Sequence, residues 1–280
     1  MLLDNQIDIS KELMDFIKES PTAFHVVKNF STMLEKAGFI KLNERNKWKI
    51  EQGGKYYVTR NDSSIIAFQV PDNMEFYNFQ IAAAHSDSPA FKIKENPEMV
   101  EDNNYVTLNV EKYGGMLMAP WFDRPLSVAG RVIVREDSGL KPVLVNVDRD
   151  LCVIPNLAIH MNRDVNNGIK YNPQKDMIPL FGEIASKDKF EKIIAMEAGT
   201  DADSIVSADL FLYNREVGKI WGADNEFMSA PRLDDVMCAF SCIKALTDNK
   251  ENSKSVNVCA VFDNEEVGST TKQGADSSFL

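Results

Sequence analysis

The stretch VNVCAVFDNEEVGS, residues 256–269, joins a run of apolar, β-branched residues to two adjacent carboxylates. Val256 to Phe262 predicts a buried β-strand, too short for a helix. It runs directly into Asp263, Asn264, Glu265 and Glu266 and a Gly268-Ser269 turn. Open α/β sheets build their sites at the C-terminal ends of such strands. Adjacent carboxylates repel and raise each other's pKa unless a cation lies between them. A metal reconciles the pair, with one carboxylate as ligand and its neighbour as proton carrier for water. The plain alternative is a solvated acidic turn.

Moving outward, Ser229-Ala230-Pro231-Arg232-Leu233-Asp234-Asp235 leads into a predicted helix with Val236, Phe240, Ile243 and Leu246 on one face. Helix capping explains one of the two aspartates well and the pair less well. Further upstream, Phe79 to Ala84 predicts a second buried strand that ends in His85-Ser86-Asp87-Ser88-Pro89. Strand alternation puts His85 and Asp87 on one side. A carboxylate there can fix which imidazole nitrogen faces a metal. Before it, residues 8–38 predict two helices separated by Ser20-Pro21-Thr22, with Gly38 stopping the second. Two strands follow, over 55–60 and 64–70. His25 lies in the second helix and reads as a packing or surface residue.

From residue 95 to 222 the texture changes to short alternating strands: 106–110, 127–135, 143–147 and 206–213, with a hairpin turn at Asp137-Ser138-Gly139 and a helix over 187–198. This predicts an inserted β-rich domain over 95–222. The flanking segments 1–94 and 223–280 form the two parts of an α/β domain. His160 falls in the insertion, in IPNLAIHMNRD.

Composition excludes several classes. At 280 residues, with 44% hydrophobic and 26% charged residues, the chain can bury a sizeable core. A net charge of −11 argues against a nucleic-acid partner, which needs a basic face. No apolar run approaches the roughly 20 residues that span a bilayer, and the first residues, MLLDNQIDIS, lack a basic region. Cys152, Cys238, Cys242 and Cys259 form no CxxC pair, and Cys238 and Cys242, one helical turn apart, read as buried thiols. A cytoplasmic location without membrane association is the simplest expectation.

Three segments thus place ligating side chains at element ends: His85/Asp87, Asp234/Asp235 and Glu265/Glu266. One imidazole and several carboxylates suit zinc, with manganese or cobalt as alternatives. With SPTAFHVV, AAAHSDSPAFKIK, YGGMLMAPWFDRPLSVAGRV, IPNLAIHMNR, APRLDD, FDNEEVGS and QGADSSFL, the chain resembles the aspartyl aminopeptidase family of co-catalytic zinc metallopeptidases along nearly its whole length.

The resemblance implies a zinc-exopeptidase-like α/β/α catalytic domain interrupted by a β-rich dimerisation domain. It implies two zinc ions per complete site and removal of N-terminal residues, Asp or Glu above all, from peptide substrates. His85 would bind one zinc, Asp87 would orient that imidazole, and Asp234, rather than Asp235, would bridge the ions. Glu266 would ligate zinc and Glu265 would be the general base. The position matching His160 would reach a neighbouring subunit's site, within dimers that assemble into a dodecamer. In the family an Asp and a His ligand lie beyond the position of Leu280, so the chain reads as a truncated piece whose own activity is in doubt. Arg124, Lys92 and Arg163 are candidates for an acidic-substrate pocket. Two rival readings are a carboxypeptidase or deacylase on the same scaffold, and a non-catalytic assembly protein.

Overall fold

The computed structural model describes residues 2–73, 78–249 and 254–280. In chain order the elements are α1 (Leu2–Lys18), α2 (Ala23–Lys36), β1 (Ile40–Lys41), β2 (Lys55–Arg60), β3 (Ser64–Gln69), β4 (Asn78–His85), β5 (Ala90–Glu101), β6 (Tyr105–Tyr113), β7 (Leu126–Glu136), β8 (Gly139–Asn146), β9 (Leu180–Glu183), α3 (Phe190–Ala198), β10 (Ile205–Asn214), β11 (Lys219–Trp221), β12 (Phe227–Ser229), α4 (Leu233–Asp248) and β13 (Ser255–Phe262). They fall into two compact units, residues 1–88 with 217–280, and residues 89–216.

The first unit is built on a five-stranded mixed sheet in the order β1-β2-β3-β13-β4. β13 pairs antiparallel with β3 and parallel with β4, with Phe262 opposite His85. Alternation divides the side chains of β13 between two apolar clusters. Cys259 and Val261 join Tyr57, Ile65 and Ala67 against α1, α2 and α4. Val256, Val258, Ala260 and Phe262 join Val58 and Ile66 on the opposite face, against Leu42, Phe68 and Phe279. On the helical side Phe30, Leu34, Ala239 and Ile243 are fully buried. Truncating a buried phenylalanine such as Phe30 or Phe240 to alanine costs about 3–5 kcal/mol, so this packing holds the helices to the sheet.

Two expectations need correction here. β4, read as a buried strand, lies at the sheet edge in the described fold, paired only with β13. Its residues are largely exposed, Phe79 at 59% and Ile81 at 53%. An apolar run reports strand propensity but not the number of neighbours the strand finds. The helix of Asp234 and Asp235 is also not regular at its start. Arg232 is left-handed, both aspartates have non-helical backbone angles, and the peptide between them is cis. The regular helix begins only after them.

The second unit is a six-stranded antiparallel sheet in the order β8-β7-β10-β5-β6-β9. Phe91, Leu108, Leu126, Val128, Ile154 and Leu212 form its core with Phe190 and Ile194 of α3. β5 went unread because Glu95-Asn96-Pro97-Glu98 interrupts its alternation. The ladder with β6 is irregular between Ile93 and Glu98, where Pro97 can donate no hydrogen bond. β5 already pairs with β6 at Ala90, and the compact unit runs from Pro89 to Glu216. α3 starts at Phe190 instead of residue 187, after left-handed Asp188. The Glu98 carboxylate caps it, accepting the backbone N–H groups of Asp188, Lys189 and Phe190 at 2.7, 3.1 and 2.7 Å.

Candidate metal centre

The parallel register of β4 and β13 brings the two chain segments after them to one end of the sheet. The Ser86 N–H donates to the Phe262 carbonyl at 2.7 Å, and its hydroxyl to the Ser63 carbonyl at 2.7 Å. The Asp263 N–H donates to the Ser64 hydroxyl at 2.8 Å. These bonds tie β3, β4 and β13 together where the polar residues begin. Beyond Asp263, left-handed Asn264 turns the chain, and residues 265–267 form a short 3-10 turn. The Asn264 side-chain oxygen accepts from Thr271 Oγ1 and Gln273 Nε2, both at 2.8 Å.

Asp87 completes this turn. Only 4% exposed, it accepts the Glu265 N–H on Oδ1 and the Glu266 N–H on Oδ2, each at 3.2 Å. It also stands beside His85, whose Nδ1 lies 3.1 Å from the Asp87 carbonyl and 3.3 Å from its Oδ1. Asp87 therefore contacts the imidazole through backbone and carboxylate alike, while the carboxylate also clamps the Glu265-Glu266 turn. Its second contact was invisible in the spacing, which relates Asp87 to His85 alone.

The other imidazole nitrogen faces acids from two further segments. His85 Nε2 is 3.4 Å from Asp234 Oδ1, 3.8 Å from Asp235 Oδ2 and 3.8 Å from Glu265 Oε2. Two groupings of ligating atoms result, His85 with Asp234 and Asp235, and His85 with Glu265 and Glu266, each spanning no more than 4.8 Å. Ser88 donates its hydroxyl to the Asp234 carbonyl at 2.8 Å, and Asp235 accepts the His85 N–H at 3.1 Å. Asp235 thus braces His85 from behind; the sequence ranked it behind Asp234 and had no means to show this contact.

The electrostatics follow from the crowding. Burial pushes the Glu266 carboxyl up, to about 7, and Asp87, Asp234 and Glu265 push the same way against His85. Burial opposes the charged imidazole of His85, but Asp87, Asp235 and Glu265 outweigh it and raise that group to about 9. Asp263, which the sequence reading passed over, is buried, and burial lifts it to about 6. Carboxylates converging on one imidazole form a hard-to-borderline donor set that a divalent cation would stabilise. The residues present fit zinc on that ground.

His160 lies in the second unit, exposed, in a turn at residues 159–161, and neither grouping of ligating atoms includes it. Arg124 pairs with Glu216, and Lys92 with Asp209 at 3.1 Å. Among the described residues no helix is long and apolar enough to cross a membrane.

Comparison with known proteins identifies the family. The model of the family described as aminopeptidase I zinc metalloprotease (M18) matches residues 16–280. The chain is 51% identical, over 287 residues, to the probable M18 family aminopeptidase 2 of Clostridium acetobutylicum, which covers 99% of this chain and 66% of that relative. The chain therefore spans just under two thirds of that relative's length. Among solved structures it is similar to a chain of the cryo-EM structure of the Ape4 and Nbr1 complex, with 36% identity and a TM-score of 0.92, covering 97% of this chain and 57% of that one. It is also similar to the S. cerevisiae mApe1 dodecamer, with 29% identity and a TM-score of 0.81, covering 96% of this chain and 64% of that one.

Proposed function

Because the chain belongs to the aminopeptidase I zinc metalloprotease (M18) family, we propose that its site serves metal-assisted hydrolysis of the first peptide bond of a peptide substrate. The observation that carries this reading is the approach of Asp234, Asp235 and Glu265 to within 3.8 Å of His85 Nε2, from two separate segments. His85, Asp234 and Glu266 would hold two zinc ions. A bound zinc supplies Lewis acidity, which acidifies water and polarises a carbonyl.

Glu265 is the general base. Its side chain is half exposed, and its backbone is held by Asp87, so the carboxylate reaches toward solvent from a fixed anchor. It takes a proton from water as the oxygen bonds to the peptide carbonyl carbon, then hands the proton to the departing nitrogen as the C–N bond breaks. Asp87 and Asp235 position: the first holds the turn of Glu265 and Glu266, the second holds the backbone of His85. The family resemblance supports N-terminal Asp or Glu as the residue removed. It also supports assembly through the second unit, as dimers within a dodecamer, with His160 reaching a neighbouring subunit's site. The similarity to the mApe1 dodecamer supports the same assembly. A cytoplasmic location accords with this assignment.

The test pairs zinc content with substrate chemistry. Zinc bound per 280-residue chain is counted, and hydrolysis of Asp- and Glu-amides is followed with free and with acetylated α-amines. Two zinc ions per chain, and turnover that needs the free amine, support the proposal. Glu265→Gln should then lower turnover by about 10²–10⁴-fold with zinc retained. Equal cleavage of acetylated substrates would overturn the aminopeptidase reading in favour of a deacylase. One zinc or none would overturn the two-ion site in this chain.

A further inference from the structure

Three of the four cysteines lie in the first unit, on the two elements that lead to and from the metal centre. Cys238 and Cys242 stand one turn apart on α4, and Cys259 lies in the middle of β13, opposite Ala67 of β3 and Ala82 of β4. Cys259 is buried, Cys242 half-buried and Cys238 exposed. On the helical face of the sheet, Cys242 packs against the same cluster that contains Cys259. Across this contact the two thiols hydrogen-bond to each other. Cys238 bonds Asp235 instead, and Cys152 is buried in the core of the second unit.

We propose that Cys242 and Cys259 form a peroxide-sensitive thiol pair, with Cys242 oxidised first and Cys259 resolving it to an intrachain disulfide between α4 and β13. The roles follow from exposure and from the bond between them. Cys242 is the member with access to solvent. The bond from Cys259 pulls its thiol down, while the same bond and burial push Cys259 up. The thiolate is the form that attacks a peroxide.

In the first step the Cys242 sulfur attacks a hydroperoxide. An S–O bond forms, the O–O bond breaks, and water leaves with the thiol's proton; Cys242 is oxidised to a sulfenic acid as the peroxide is reduced. In the second step the Cys259 sulfur attacks the sulfenic sulfur. The S–S bond forms, the S–O bond breaks, and the Cys259 proton leaves with the hydroxyl as a second water. Two thiols and one hydrogen peroxide give one disulfide and two waters.

The experiment treats the 280-residue chain with hydrogen peroxide, with and without dimedone to trap sulfenic acid. It is then alkylated and mapped by mass spectrometry without reduction. A peptide pair linked through 242 and 259 is expected, and free thiols counted in denaturant should fall from four to two. In Cys259→Ala the dimedone adduct should accumulate at Cys242. In Cys242→Ser, oxidation of Cys259 should slow by about tenfold or more, since a protonated buried thiol reacts poorly. Adducts on Cys238 or Cys152 with Cys242 unmodified would overturn the proposal. So would a Cys242 adduct in the wild-type chain that never converts to the linked pair. Circular dichroism checks that each variant folds, and the wild-type map decides the matter where one does not.

Discussion

Asp87 shows how much one buried carboxylate can organise. Its two oxygens accept the N–H groups of Glu265 and Glu266, and Oδ1 also stands beside His85. Asparagine offers one acceptor and one donor, so one backbone N–H would face a donor. Asp87→Asn should cost about 1–3 kcal/mol in urea unfolding, and weaken zinc binding by about 10–100-fold in a chelator competition. Unchanged zinc affinity would show that the turn holds without it. His25 tests burial at the same scale. Its Nδ1 lies 2.9 Å from Thr22 Oγ1, and burial, then Lys28 and Arg232, lower it from 6.5 to about 4. The unfolded chain therefore takes up this proton more readily than the folded one. The associated stability is full above pH 6.5 and is lost as the pH falls toward 4. The loss is on the order of 2–3 kcal/mol. His25→Gln should flatten this part of the curve in urea titrations between pH 7.5 and 4; an unchanged slope would remove His25 as its source. The sequence left His25 as either a packing or a surface residue of its helix. It could not show Lys28 and Arg232 converging on the ring, because Arg232 comes from the far end of the chain.

At the scale of elements, local pattern located most of the strands and missed what depends on a distant partner. Lys55–Arg60 was read to the residue, since its aromatic and β-branched residues and the turn residues Asn61, Asp62 and Ser63 after it are local signals. The start of α3 was read three residues early, because its cap is Glu98, some 90 positions away in β5. Glu98→Ala removes the acceptor for three backbone N–H groups and should cost about 1–2 kcal/mol. Amide hydrogen exchange at Asp188, Lys189 and Phe190 should accelerate, with exchange in β7 unchanged. Protection equal to the wild type would show that water replaces the carboxylate without loss. The irregular start of α4 belongs here too. Leu233 to Asp248 carries helical periodicity, and nothing in that period marks Asp234 and Asp235 as lying outside the regular coil.

At the scale of the whole molecule, each unit has an apolar cluster drawn from its own residues. The second unit's sheet closes all its pairings within residues 89–216, and α3 covers it from the same segment. Residues 89–216 expressed alone should therefore unfold cooperatively, with near-ultraviolet circular dichroism and thermal melting as the measure. A non-cooperative melt would show that its core needs the remaining chain. The first unit draws α1, α2 and β1–β4 from before this segment and β11–β13 and α4 from after it.

Local chemistry was enough to mark what each segment is suited to do. Apolar alternation marked the strands, helical spacing marked α2 and α4, and ligating residues at element ends marked the candidates for a metal centre. Tertiary structure alone decided that β13 lies inside the sheet and β4 at its edge. It decided that Phe262 stands opposite His85, and that Asp235 and Asp87 brace the centre through backbone N–H groups. The physical reason is range. Periodicity records which side of an element is buried, a property of neighbours two to four residues apart. Pairing and convergence join residues far apart in the chain, some 180 positions in the case of Asp87 and Glu266, and are settled by which apolar faces close on one another.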